Sequence, residues 1–193
     1  MVHSIVPLSV LEAVKNLDTP VEDGLTEFAD ELLVKRLGLS PTVQMQLEEY
    51  ELLARKDARV EPAHVEALLR LVGRRPDADL VFADAGRRAA RRAVKRLSGM
   101  SRMFRQSAAR RAARSVLGAE LGWEHRLPVA RVSDPIAIQA TPDGAACGFY
   151  GAGLVELLRL LVGYEGAMLH VDCRARGGAG CEWRAVGPDP RHQ

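Results

Sequence analysis

Four side chains in the last third of the chain have the chemistry of a metal site. They are Cys147, Cys173 and Cys181, the only cysteines among 193 residues, and His170, three residues ahead of Cys173. Thiolate sulfur with one imidazole is a common tetrahedral zinc set. Cys173 and Cys181 flank a Gly-rich connection, Arg174-Ala-Arg-Gly177-Gly178-Ala-Gly180, which places them on opposite arms of one hairpin. Cys147 stands at the entrance to an apolar helix whose far end feeds the first arm, so a helix folded back on its sheet returns it to the pair. In a regular strand 170 and 173 face opposite ways. His170 can therefore join only if the strand twists or bulges, and Asp172 and Glu182 are weaker alternatives for a fourth ligand. The plainer alternative is that some of these cysteines are small buried apolar residues.

The elements around these residues follow from periodicity and punctuation. Helices are expected over 5–17, 21–37 (ended by Gly38), 41–55 (Ser40 as N-cap, Pro41 in the first turn) and 62–72. Residues 1–74 carry no strand signal. Longer helices are expected over 79–97 and 102–121. The loosely alternating, β-branched stretch 123–140 reads as two strands bent at Asp134-Pro135. Thr141-Pro142-Asp143-Gly144 reads as a turn, 154–162 as an apolar helix, and 167–173 with 181–186 as a hairpin. The fold class is α+β, with a helical region over 1–74, a domain over 75–187 and a tail over 188–193.

Composition narrows the rest. The chain is 47% hydrophobic and 27% charged, with a formal net charge of +2, so bulk charge points to no partner. No stretch of about 18 apolar residues suggests a membrane span. The N-terminus lacks the regions of a signal peptide, and three cysteines cannot all pair, so reduced thiols in a cytoplasm are expected. The charge is segregated: residues 87–114 hold 11 Lys or Arg and no acid, whereas 12–61 hold 12 acids against 6 bases. Arg87, Arg88, Arg91, Arg92, Lys95 and Arg96 form one helical stripe, and Arg110, Arg111 and Arg114 repeat it. Such a stripe is a solvated face, a face pairing with the acidic N-terminal helices, or an anion site for nucleic acid, a carboxylate-bearing ligand or an acidic protein. No aromatic interleaving supports nucleic acid in particular. No nucleophile elbow, P-loop, dinucleotide fingerprint or paired-carboxylate motif is present, so an enzyme is not expected.

The stretch from Cys147-Gly-Phe-Tyr-Gly151 through Gly163-Tyr-Glu-Gly-Ala-Met-Leu-His170-Val-Asp-Cys173 to Cys181-Glu-Trp-Arg-Ala-Val-Gly187 resembles the end of a vinyl-reductase-type (4-vinyl reductase) domain. It is most similar to the sensing domains of phenol- and xylene-responsive transcriptional activators. Leu80-Val-Phe-Ala-Asp-Ala-Gly86-Arg87 and the run from Ala108 to Trp123 resemble earlier helices of the family, the latter in its bacteriochlorophyll-pathway branch. The resemblance covers roughly 75–187. It implies that Cys147, Cys173 and Cys181 are zinc ligands, with His170 where that subgroup has Glu. Such a set closes the coordination sphere and makes the zinc structural. The resemblance further implies helices against an antiparallel sheet, a homodimer, and an apolar pocket between helices and sheet. Phe82, Trp123, His125, Phe149 and Tyr150 are the candidates by position to line that pocket. The expected role is a sensor or carrier for a small apolar or aromatic ligand, passing its signal to a protein partner. Alternatives are an accessory protein of tetrapyrrole metabolism and a dimeric adaptor acting through its Arg-rich helices.

Overall fold

The computed structural model describes residues 1–19, 40–97, 104–141 and 143–186. Its centre is a crossing of two helices, α4 (Ala78–Lys95) and α7 (Cys147–Val162). Glycine makes the crossing close. A Cβ on Gly86 would lie 2.1 Å from the Phe149 carbonyl oxygen, and one on Gly153 would lie 3.2 Å from the Gly86 carbonyl oxygen. Val81, Phe82, Ala85, Ala89 and Ala93 of α4 meet Leu154, Leu157 and Leu158 of α7 in the same buried cluster. The remaining helices are α1 (Ile5–Asp18), α2 (Pro41–Arg55), α3 (Pro62–Val72), α5 (Arg105–Ala112) and α6 (Ile136–Ala140). α1 packs on α4, α2 on α1, and α3 on α6. Arg75 clips the assembly by donating to Asp18 at 2.7 Å and to Asp77 at 2.8 Å.

The main sheet is antiparallel, in the order β3 (Glu120–Glu124), β4 (Leu127–Val132), β6 (Cys181–Val186), β5 (Ala167–Asp172). Register places Leu121, Ala130 and Trp183 in one row across it, and Val132 beside Cys181. These side chains are buried. Glu124, Arg131, Glu182 and Arg184 alternate on the other face as a closed ring of ion pairs at 2.5–2.9 Å. The architecture is α+β, as expected. No helix among the described residues is long and apolar enough to cross a membrane.

Several elements match the expectation. Ser40 caps α2 by accepting from the Val43 N–H at 3.3 Å, with Pro41 in the first turn, and α3 ends at Gly73. The hairpin β5–β6 has the expected bounds except that its first arm ends at Asp172, one residue before Cys173. The helix expected over 21–37 and the tail 188–193 lie outside the described residues.

Other elements differ. Residues 1–74 do contain strand: β1 (Val2–His3) pairs with β2 (Arg59–Val60). Of the helix expected over 102–121, the described residues show α5 ending at Ala112, then a π turn over Ala113–Leu117 that stops at Gly118, whose φ of +61° ends the helix. The stretch 123–140 is not two strands bent at Pro135. β3 starts earlier, β4 ends at Val132, and Ile136–Ala140 is a short helix opened by Pro135. The β-branched Ile136 and Ile138 favour strand, but they follow a proline that fixes φ for a turn, and packing of this helix against α3 decides the matter.

Candidate metal centre

The three cysteines and His170 converge. One ligand atom from each of Cys147, His170, Cys173 and Cys181 lies within 4.8 Å of every other, and the three thiols are free and buried. Each arrives by a distinct local device. Cys147 opens α7, its N–H bonded to the Gly144 carbonyl at 2.9 Å in the turn that precedes the helix. Gly144 sits at φ +82°, with its Cβ position 3.5 Å from the Cys173 sulfur, so the turn touches the cluster itself. Cys181 begins β6 on the inner face, two residues from Trp183. Cys173 ends the first arm and is followed by a 3₁₀ turn (Arg174–Arg176) closed by Gly177 at φ +91°. The Cys173 carbonyl takes the N–H of Arg176 and of Gly178 at 2.9 and 3.0 Å.

The condition on His170 is met by a β-bulge. His170 pairs with Trp183, but Asp172, not Val171, pairs with Glu182. The extra residue brings position 173 onto the face that carries His170, which a regular strand would not do. The His170 ring stacks on Trp183 at 4.4 Å between centroids and 6° between planes. Its Nε2 is buried and has no hydrogen-bond partner among the described residues. A buried, orphaned imidazole nitrogen beside three thiols has the features of a metal ligand.

Asp172 and Glu182 have other duties. The Asp172 carboxylate accepts from the Cys173 N–H at 2.9 Å, and a Cβ on Gly178 would fall 2.0 Å from it, so it braces the turn. Glu182 belongs to the ion-pair ring on the opposite face.

The electrostatics divide the thiols. Burial, then the neighbouring Cys181 and Cys173, pushes the Cys147 thiol far up, and burial raises Cys181 as well. Burial also opposes ionisation of Cys173. Backbone groups of Ala175 and Arg176, the Arg176 side chain and Cys181 more than offset it, leaving Cys173 below the usual thiol range. Burial and then the Arg176 charge hold His170 below the ordinary imidazole value, which favours the neutral form that ligates metals. Together the four side chains could hold a metal ion, and a bound cation would draw the protons off all three sulfurs.

The expected pocket residues separate into two groups. Phe149 and Tyr150, in the first turn of α7, line a cavity of about 410 Å³ between the N-terminal strand, the π turn and the segment around α6. Phe82, Trp123 and His125 do not line it. Phe82 is fully buried where α4 packs against α7. Trp123 lies under the Arg110 guanidinium, 5.0 Å from its ring centroid. His125 is exposed in the β3–β4 turn, not on a strand face. A two-residue hairpin loop of type I′ requires positive φ at both positions, and His125 and Arg126 adopt +50° and +69°.

The arginine stripe on α4 is largely spent on internal carboxylates. Arg88 donates to Asp84 at 2.7 Å, with Arg87 at 4.0 Å from the same side chain. Arg91 donates to the buried Glu156 at 2.7 Å, Arg92 to Glu12, and Arg96 to Asp57 at 2.5 Å. Lys95 is exposed near the helix end. Pairing with the N-terminal region, one of the three options open from sequence, accounts for Arg92 and Arg96.

Trp183, which stacks on His170, has no part in the centre expected from sequence, and Asp172, a candidate ligand there, instead braces the turn. Trp183 was accessible through alternation, since it is two residues from Cys181 and so shares its face. The buried His3, whose Nδ1 accepts from the Ile5 N–H at 3.1 Å and whose Nε2 lies 3.0 Å from Asp57, had no sequence signal.

The chain matches no protein-family model, and no curated protein or solved structure is similar enough to it to count as a match.

Proposed function

We propose that this protein is a zinc-stapled domain that binds a small apolar or aromatic molecule as a sensor or carrier, with the fold type of the 4-vinyl-reductase domains. The convergence of Cys147, Cys173, Cys181 and His170 carries the reading. A tetrahedral zinc with sulfur at ~2.3 Å and nitrogen at ~2.0 Å needs ligand separations of about 3.5–3.8 Å. The observed upper bound of 4.8 Å lies within about 1 Å of that, reachable by small side-chain rotations. Three thiolates and an imidazole leave no open position for substrate, which makes the ion structural. Helix α7 links the two halves of the reading. Its first residue is Cys147, and Phe149 and Tyr150, two and three residues on, wall the cavity. Zinc would anchor the end of the helix that shapes the ligand site.

Metal analysis of protein purified without chelator tests this. About one zinc per chain is expected, and Cys173→Ser with Cys181→Ser should abolish it. Metal-free protein that binds no added zinc would overturn the assignment.

A further inference from the structure

The cavity beside Phe149 and Tyr150 has a charged rim. Its wall is apolar and buried at Val6, Leu117, Val132, Phe149 and Tyr150, whereas Arg59 and Arg114 line it from exposed positions. A second basin of about 440 Å³, bounded by Arg59, Arg110, Arg111, Arg114, Ser107 and Ser115, shares Arg59, Arg114 and Ser115 with the first. The two are therefore neighbours, with those residues between them.

These guanidiniums differ from the α4 stripe. The α4 arginines meet Asp84, Glu156, Glu12 and Asp57, but among the described residues none of Arg59, Arg110, Arg111 and Arg114 has a carboxylate within ion-pair distance. Arg59 donates to the Met1 carbonyl at 3.3 Å, and Arg110 covers Trp123. Asp134 is the one carboxylate lining either basin, and it is exposed and already engaged by Arg174 at 3.2 Å. The π turn over Ala113–Leu117 supplies Arg114, Ser115 and Leu117 to the site. Such single π turns are costly interruptions that recur where side chains must be re-aimed at a ligand.

We infer that the cavity takes an organic carboxylate with an apolar body, its anionic head held by Arg59 and Arg114 and its body against Phe149, Tyr150 and Leu117. An unpaired guanidinium fork matches a carboxylate in two parallel hydrogen bonds, and a cavity of about 410 Å³ lies within the usual range for small-molecule sites. The inference rests on the small-molecule reading above and specifies its ligand class.

Calorimetric titration of the zinc-loaded full chain with 2-naphthoate and with the neutral 2-naphthylmethanol tests it. Naphthoate should bind at least about tenfold tighter, the scale of one charge-assisted hydrogen bond. Arg59→Gln with Arg114→Gln, both at exposed positions, should erase that difference by lowering naphthoate affinity far more than that of the alcohol. Ile136→Trp, which fills the cavity, should weaken both probes. Equal binding of the two probes, or no effect of the arginine changes, overturns the carboxylate inference while the small-molecule site stands. Naphthoate affinity unmoved by Ile136→Trp overturns it as surface pairing outside the cavity. Binding of neither probe overturns the inference and the small-molecule reading together, a result separable from the zinc assignment by metal content.

Discussion

His170 is the residue on which the metal centre turns. Its Nε2 is buried without a partner among the described residues, and its ring is held flat against Trp183. A nitrogen in that state costs the protein free energy unless an ion takes it up. His170→Gln is expected to lower zinc affinity by more than the roughly 10–100-fold that loss of an outer-shell partner costs. Trp183→Leu, which removes the stacking platform and leaves all four donors, should fall within that 10–100-fold range. Competition with a chromophoric chelator measures both. Equal affinity in wild type and His170→Gln would mean that only the three sulfurs bind. Phe149 and Tyr150 sit so close to Cys147 in sequence that zinc removal should also weaken small-molecule binding, a coupling that titration before and after chelation would reveal.

At the level of elements, the α4–α7 crossing depends on the absence of two side chains. Gly86→Ala places a methyl 2.1 Å from the Phe149 carbonyl oxygen, backbone that cannot step aside without moving α7. Overpacking of this kind costs about 1–3 kcal/mol, occasionally more, and denaturant melts would record it as a lower midpoint. Because α7 carries Cys147 and the cavity wall, the same change should reduce zinc and ligand affinity. A second element-level prediction concerns the joint between β1, α1 and the end of α2, where His3 is buried against Asp57 and Arg96. Burial lowers its pKa from 6.5, against the opposing pull of Asp57. The unfolded chain therefore binds the proton more readily. The stability contributed by neutral His3 is present above about pH 6.5 and is lost as pH falls through the lowered folded value. Melting curves across pH 7.5 to ~5 should show this loss, and His3→Gln should flatten it.

For the whole molecule, the metal would tie the end of one long helix to both arms of the hairpin at the edge of the sheet. Ligands that bind only the folded state add about 2.7 kcal/mol at a hundredfold excess over Kd. In a chain of 193 residues that corresponds to roughly 5–11 °C in melting temperature. Chelation should lower the midpoint by about that amount in the wild type and leave the Cys173→Ser, Cys181→Ser variant unmoved. A wild-type midpoint indifferent to chelator would show that the centre carries no folding free energy.

Much of this was local and therefore written in the sequence. Ser40-Pro41 starts a helix because its hydroxyl and fixed φ act within one turn, and Gly163 ends α7 because it alone adopts a φ of +71° without cost. The hairpin between Cys173 and Cys181, and the candidacy of those two cysteines with His170, likewise follow from spacing and side-chain chemistry over a dozen residues. What required tertiary structure depends on partners far away in the chain. The bulge at Val171 that aligns His170 with Cys173 is a matter of pairing with β6. The helix at Ile136–Ala140 forms because α3 packs on it, against the strand preference of its isoleucines. The α4 arginines look identical in sequence to those at 110–114, yet most of the first set are neutralised by Glu12, Asp57, Asp84 and Glu156 while the second lines a cavity. Charge pattern records which groups are present, but only packing brings an acid from another element within 4 Å or leaves the arginine facing water.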